Sequence, residues 1–168
     1  MPKIIENLEA RLLQEARRQI AESGYGATTI RSVAKACGVG VGTVYNYFPS
    51  KEALVATFML SDWKEAMAMA EAVSTYSESP KAVALCLYDQ LHQFSRLHEA
   101  VFRDEAAAAS FTGSFSQYHG LLRSQLAKPL RKFCQTDFQA DFIAESLLTW
   151  TTFGKEFDVI YGMIGRLF

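Results

Sequence analysis

The chain has 168 residues, 49% of them apolar and 21% charged, with a net charge of −1. That length suffices for one domain with a substantial core or for a small domain with a larger one, and no apolar run approaches the ~20 residues needed to span a membrane. Cys37, Cys86 and Cys134 are odd in number and far apart, which excludes a disulfide framework or a C-x-x-C metal site and points, with the lack of a signal-peptide core, to a cytoplasmic protein with reduced thiols. The charge is uneven: residues 1–54 hold seven Lys/Arg against five Asp/Glu, +2, and the remainder ten against thirteen, −3. A mildly basic head on an acidic body suits a DNA-binding protein.

In chain order, Ile4–Ser23 predicts a first helix whose apolar stripe is Leu8, Leu12, Leu13, Ala16 and Ile20. Gln19 narrows that stripe, and Arg17 and Arg18 read as solvated surface. Gly24 and Gly26 end the helix around Tyr25. Thr28 to Leu54 then reads as two short helices, a tight turn and the start of a third. Thr28 is placed to cap the first, Ile30, Val33 and Ala34 form its buried side, and Gly38 follows where φ > 0 is needed. The second, roughly Val41–Phe48, is too short to persist alone and must be held by packing. Val44 and Phe48 form its inward face, Pro49 stops it and Ser50 caps the next helix. Such a helix-turn-helix lays its second helix in a DNA major groove. Gly42 and Thr43 offer bare backbone and a hydroxyl to a phosphate there, Tyr45 and Tyr47 offer phenolic donors, and Asn46 suits an adenine edge. Lys51 adds a positive charge at the start of the following helix.

Gly24-Tyr25, ATTIRSVAKACGV (27–39) and GTVYNYFPSKEAL (42–54) together resemble the N-terminal domain of TetR-family transcriptional repressors, over roughly residues 11–58. The resemblance implies an all-α protein with a three-helix DNA-binding head, residues 1–54, and a helical effector-binding and dimerisation body, residues 55–168. It implies a repressor that binds a palindromic operator in double-stranded DNA as a homodimer. A small apolar or aromatic effector would release it by tilting the helix that joins head to body. DNA contacts then fall on Thr29 and Arg31 in the first motif helix, on Val41, Thr43, Tyr45, Asn46 and Tyr47 in the second, and on Lys51 beyond. Position 40, often a capping serine in this family, is Gly40. Position 41, often polar, is Val41, which can touch a thymine methyl but has no hydrogen bond to offer.

Beyond the motif, helical spacing predicts helices at Ser50–Val73, Ser79–Leu97, Glu99–Ser110, Ser114–Phe133, Thr136–Phe153 and Lys155–Leu167, about nine in all, with no alternating strand pattern. Ser74–Ser79 reads as a polar break, Ser79-Pro80 as a cap and first helical position, Pro129 as a kink, and Thr136-x-x-Gln139 as a capping box. Eleven of the twelve Phe and both Trp follow residue 54, so the body has the composition to enclose an apolar effector. Its candidate lining is Phe94, His98, Phe111, Tyr118, His119 and Trp150. His92 and His98 are six apart, the wrong spacing for two ligands on one helical face, so no metal is expected, and no cofactor is implied.

In the last helix Phe157, Ile160, Ile164 and Leu167 form one stripe, widened by Val159 and Met163, with Gly162 and Gly165 open to another backbone. With Phe142 on the preceding helix, this predicts a dimer interface of Phe142, Phe157, Ile160, Gly162 and Ile164 in a four-helix bundle. No P-loop, G-x-G-x-x-G, G-x-S-x-G or H-E-x-x-H motif is present, which argues against an enzyme and leaves no catalytic residue. The competing class is a ligand-independent architectural DNA binder, which leaves so large an aromatic body unexplained.

Overall fold

A computed structural model describes residues 7–111 and 115–168; the side chains of residues 115–118 lie outside that description. The described residues are all-α, with ten α-helices, one 3-10 helix and no strand among them. They divide into two compact units, Met1–Ser61 with His98–Thr112, and Asp62–Leu97 with Gly113–Phe168. Helix α4 (Lys51–Tyr76) runs through the boundary between them.

Unit one holds α1 (Leu8–Ser23), α2 (Ile30–Cys37), α3 (Val41–Tyr47), the first turns of α4, and two short helices, α6 (Glu99–Phe102) and α7 (Glu105–Phe111). The expected start of the first helix at Ile4 falls outside the described residues. Leu12, Ala16 and Ile20 of α1 are buried against Val33 and Ala34 of α2, Val44 of α3 and Leu54, Val55 and Phe58 of α4. Each large side chain so buried contributes ~1.5–3 kcal/mol, which lets helices too short to stand alone persist. Val101 and Ala107, far down the chain, complete this core.

Four local expectations change. Thr29, not Thr28, caps α2: its hydroxyl accepts the Ser32 N–H at 3.0 Å while the Thr29 N–H donates to Ser32 Oγ at 3.1 Å. Thr28 is buried instead, its hydroxyl donating to the Gly24 carbonyl. The polar break expected over Ser74–Ser79 starts later, after Tyr76, because Ser74 turns inward and donates to the Pro129 carbonyl at 2.6 Å, so that α4 continues past it and only residues 77–79 separate α4 from α5. The run Glu99–Ser110 is two helices, not one, because the Asp104 carboxylate caps a new start by accepting the Ala106 and Ala107 N–H groups. Pro129 ends its helix where a kink was expected: α8 (Phe115–Ala127) gives way to a 3-10 helix, Lys128–Phe133.

Unit two packs α5 (Pro80–Leu97), α8, the 3-10 helix, α9 (Asp137–Thr152) and α10 (Phe157–Ile164) around Trp63, Leu87, Leu126, Leu130, Ile143 and Leu147. Ser79 and Thr136 cap α5 and α9 as the sequence predicts. Gln139 reaches back one residue further than a capping box requires, accepting the Gln135 N–H. Trp63 Nε1 donates to Gln125 Oε1, and its ring meets Phe94 edge-on at 5.3 Å.

Candidate DNA-binding site

The site is built on α3, and α3 is positioned by what it buries. Val44 is fully buried and Phe48 is 3% exposed, which turns the opposite side of the helix outward. Tyr45 (51% exposed), Asn46 and Tyr47 (42%) stand on that open side, with Gly42 beside them. Val41 and Thr43 are half-buried, and Val41 packs on the core of unit one. Gly38 adopts φ +70° and ends α2, giving the turn its direction. Gly40 starts α3 with no side-chain cap. A Cβ built on Gly42 meets nothing within 4 Å. No packing contact among the described residues therefore requires the side chain to be missing.

Thr29 and Arg31 are exposed at the start of α2. Their setting depends on a residue that the sequence marks only as out of place. Gln19 lies on the α1 stripe, accepts the Ser32 hydroxyl at 2.5 Å and donates to Glu15 at 2.8 Å. Ser32 is the reciprocal partner of the Thr29 cap, so α1 fixes the N-terminus of α2 through a polar chain. Arg18 hydrogen bonds hold the Glu15 carboxyl down at about 2, with Gln19 adding to the effect. Arg17, expected on the surface, sits over the Phe58 ring at 4.7 Å and donates to the Phe58 carbonyl.

Lys51 is half-buried at the start of α4, with Nζ 3.8 Å from the Tyr25 ring centre and 2.9 Å from the Tyr25 carbonyl oxygen. Tyr25 donates to Glu52, and burial pushes its phenol up to about 12. A shallow cavity of 310 Å³ on unit one is lined by Arg11, Gln14, Glu15, Arg18, Ala36 and Cys37. None of the six candidate effector residues belongs to it.

Those six candidates are not gathered by one unit. His98 and Phe111 serve unit one: His98 is buried and stacked on Phe58 at 5.8 Å, and Phe111 lies 6.0 Å from the Tyr25 ring. Phe94, His119 and Trp150 belong to unit two, and the Tyr118 side chain lies outside the described residues. His119 Nε2 is 3.4 Å from one Glu145 oxygen, and the Arg123 guanidinium is 3.9 Å from the other. Among the described residues no group of three His, Cys, Asp or Glu is placed to hold a metal ion, and no helix is long and apolar enough to cross a membrane.

The expected interface residues also divide. Phe157, Ile160 and Ile164 are buried in the core of unit two, so the stripe read as a dimer contact closes the chain's own interior. Phe142 and Gly162 are exposed. They share the surface of α9 and α10 with Phe138, Trp150, Phe153, Val159 and Met163. Gly165 has an internal reason to be glycine, since a Cβ there would lie 2.7 Å from the Tyr161 carbonyl oxygen. Gly162 has none: a Cβ would meet nothing within 4 Å.

Residues 12–57 match the family model described as bacterial regulatory proteins, tetR family. The HTH-type transcriptional regulator UidR of Escherichia coli is 36% identical over 58 residues, 34% of this chain, and the match spans 30% of UidR's own length. Likeness of fold extends much further. A Rhodococcus transcriptional regulator superposes with a TM-score of 0.65 at 19% identity, covering 95% of this chain and 96% of that one. A regulator of Aquifex aeolicus gives 0.66 at 16% identity, covering 94% and 95%. The matched family and relatives are regulatory proteins, not enzymes.

Proposed function

We propose that this chain, a TetR-family protein by its helix-turn-helix domain and its fold, is a cytoplasmic transcriptional repressor that binds a palindromic operator as a homodimer and is released by a small apolar or aromatic effector. The observation that carries the reading is the outer side of α3. Tyr45, Asn46 and Tyr47 are presented there by a helix whose inward side is fully spent on Val44 and Phe48. Asn46 reads an adenine edge; Tyr45, Tyr47, Thr43 and Lys51 bind phosphate; Gly42 admits the DNA backbone; Val41 meets a thymine methyl; Thr29 and Arg31 add contacts from α2.

Dimerisation follows from the exposed side of α9 and α10. Phe138, Phe142 and Phe153 with Val159 and Met163 make an apolar surface that a second copy would cover, with Gly162 allowing close approach. Phe157, Ile160 and Ile164 support that surface from beneath. Phe94, His119 and Trp150 are the effector contacts that unit two can supply. An effector that binds one state of α4 better than another shifts the spacing of the two reading helices.

Duplexes selected from a random pool by the full-length chain should converge on an inverted repeat with half-sites about one turn (~34 Å) apart. Failure to select any duplex at low salt overturns the reading. In a thermal-shift screen, a compound that stabilises the chain should also release the selected duplex.

A further inference from the structure

The Tyr25–Gly26 peptide group is gripped at both ends. Lys51 Nζ donates to the Tyr25 carbonyl oxygen at 2.9 Å, and the Gly26 N–H donates to Asp104 Oδ2 at 2.9 Å, across 78 residues of chain. A cation on the oxygen and a carboxylate on the N–H polarise one peptide in the same sense, so each bond strengthens the other. The second Asp104 oxygen caps α7 through Ala106 and Ala107. These backbone N–H groups, Gly26 foremost, hold the Asp104 carboxyl below its ordinary range. Around the clamp, the Tyr25 ring lies beneath Lys51 and beside Phe111, and Val101 and Ala107 are buried in the same core as α1–α3. The peptide thus joins the α1–α2 loop, the start of α4 and the α6–α7 segment.

We propose that Asp104 is a positioning residue for DNA binding, acting through the Tyr25–Gly26 peptide on Lys51 and on the loop that leads into Thr29 and Arg31. This makes His98–Thr112 a working part of the DNA-reading unit, although it lies outside the residues that match the family model. The inference rests on the regulator reading above.

The test is a double-mutant cycle in the full-length chain, with the duplex selected by the wild type as probe. Lys51→Ala and Asp104→Ala should each weaken binding about tenfold, and the double variant also about tenfold rather than about a hundredfold, because both act through one peptide. Each should also lower the salt dependence by the same step, about one in the slope of log K against log salt, as one phosphate contact is lost. Asp104→Asn, which keeps a neutral acceptor for the α7 cap, should stay folded and bind with intermediate affinity. Exchange of the Gly26 amide should quicken in both Asp104 variants. Multiplying effects, an unchanged salt slope, or an Asp104→Ala chain that binds like the wild type would each overturn the inference. A wild type that selects no duplex instead sinks the regulator reading itself.

Discussion

Helices α3 and α10 are built alike and finished differently. Each is about two turns long, too short to persist without packing. Each buries one stripe, Val44 with the following Phe48 in one case and Phe157, Ile160 and Ile164 in the other. Each carries a glycine, Gly42 or Gly162, that no contact among the described residues explains. What they leave outside separates them. On α3 it is two phenols and an amide, groups that exchange water for phosphates and base edges. On α10 it is Val159 and Met163, 61% and 78% exposed, which gain only by meeting another apolar surface. The inward stripe decides that a short helix exists, and the outward one decides what it meets.

The largest expected effect divides the two sides of α10. Ile160→Glu places a carboxylate in a core position only 4% exposed, at a cost of at least ~4 kcal/mol, and should abolish cooperative thermal unfolding. Met163→Glu with Val159→Glu should leave the melting curve nearly unchanged and turn the proposed dimer into a monomer by sedimentation. A folded monomer from Ile160→Glu would return the inward stripe to the interface.

On α3 the same division is finer. Asn46→Ala should relax base choice at one operator position by ~1–3 kcal/mol of discrimination, read by competition between duplexes. Tyr45→Phe should weaken all duplexes alike. If both change specificity in the same way, the split between base and phosphate contacts fails.

The glycines carry the comparison furthest. Gly42→Ala and Gly162→Ala should each raise stability in thermal unfolding by up to ~1 kcal/mol, since each removes a helix-weakening residue with room for the new methyl. Gly42→Ala should nonetheless weaken DNA binding, and Gly162→Ala should weaken dimerisation. A stabilised variant with neither loss would make that glycine incidental.

The sequence made legible whatever depends on local spacing. The three-helix motif, the inward Val44 and Phe48, the positive φ of Gly38 and the Ser79 and Thr136 caps are all consequences of neighbours within a turn or two. It misplaced what depends on the partner chosen across the chain. Ser74 looks like a helix break until the Pro129 carbonyl is seen to receive its hydroxyl. Ile160 and Ile164 look like an interface until unit two's core is seen to lack a wall without them. Asp104 ahead of an alanine-rich run is a cap signal within reach of sequence, yet its bond to Gly26 is not, because nothing local pairs positions so distant.

The smallest effect tests the scaffold that carries α3. Glu15 is held at about 2 against an ordinary 4.5, chiefly by the Arg18 hydrogen bonds, and it anchors the Gln19–Ser32–Thr29 chain from α1 to α2. A depressed carboxyl contributes stability that is present above its unfolded value, near 4.5, and is lost as pH falls through about 2. Arg18 is 52% exposed, so solvent screens the pair and the contribution is small. Glu15→Gln should lower Tm near neutral pH by roughly 1–3 °C, with the gap to wild type closing as pH falls toward 2. Amides at the start of α2 should lose protection before those of α10, whose hold on its core is apolar. A gap that persists unchanged at pH 2 would mean that Glu15 acts by shape rather than by charge.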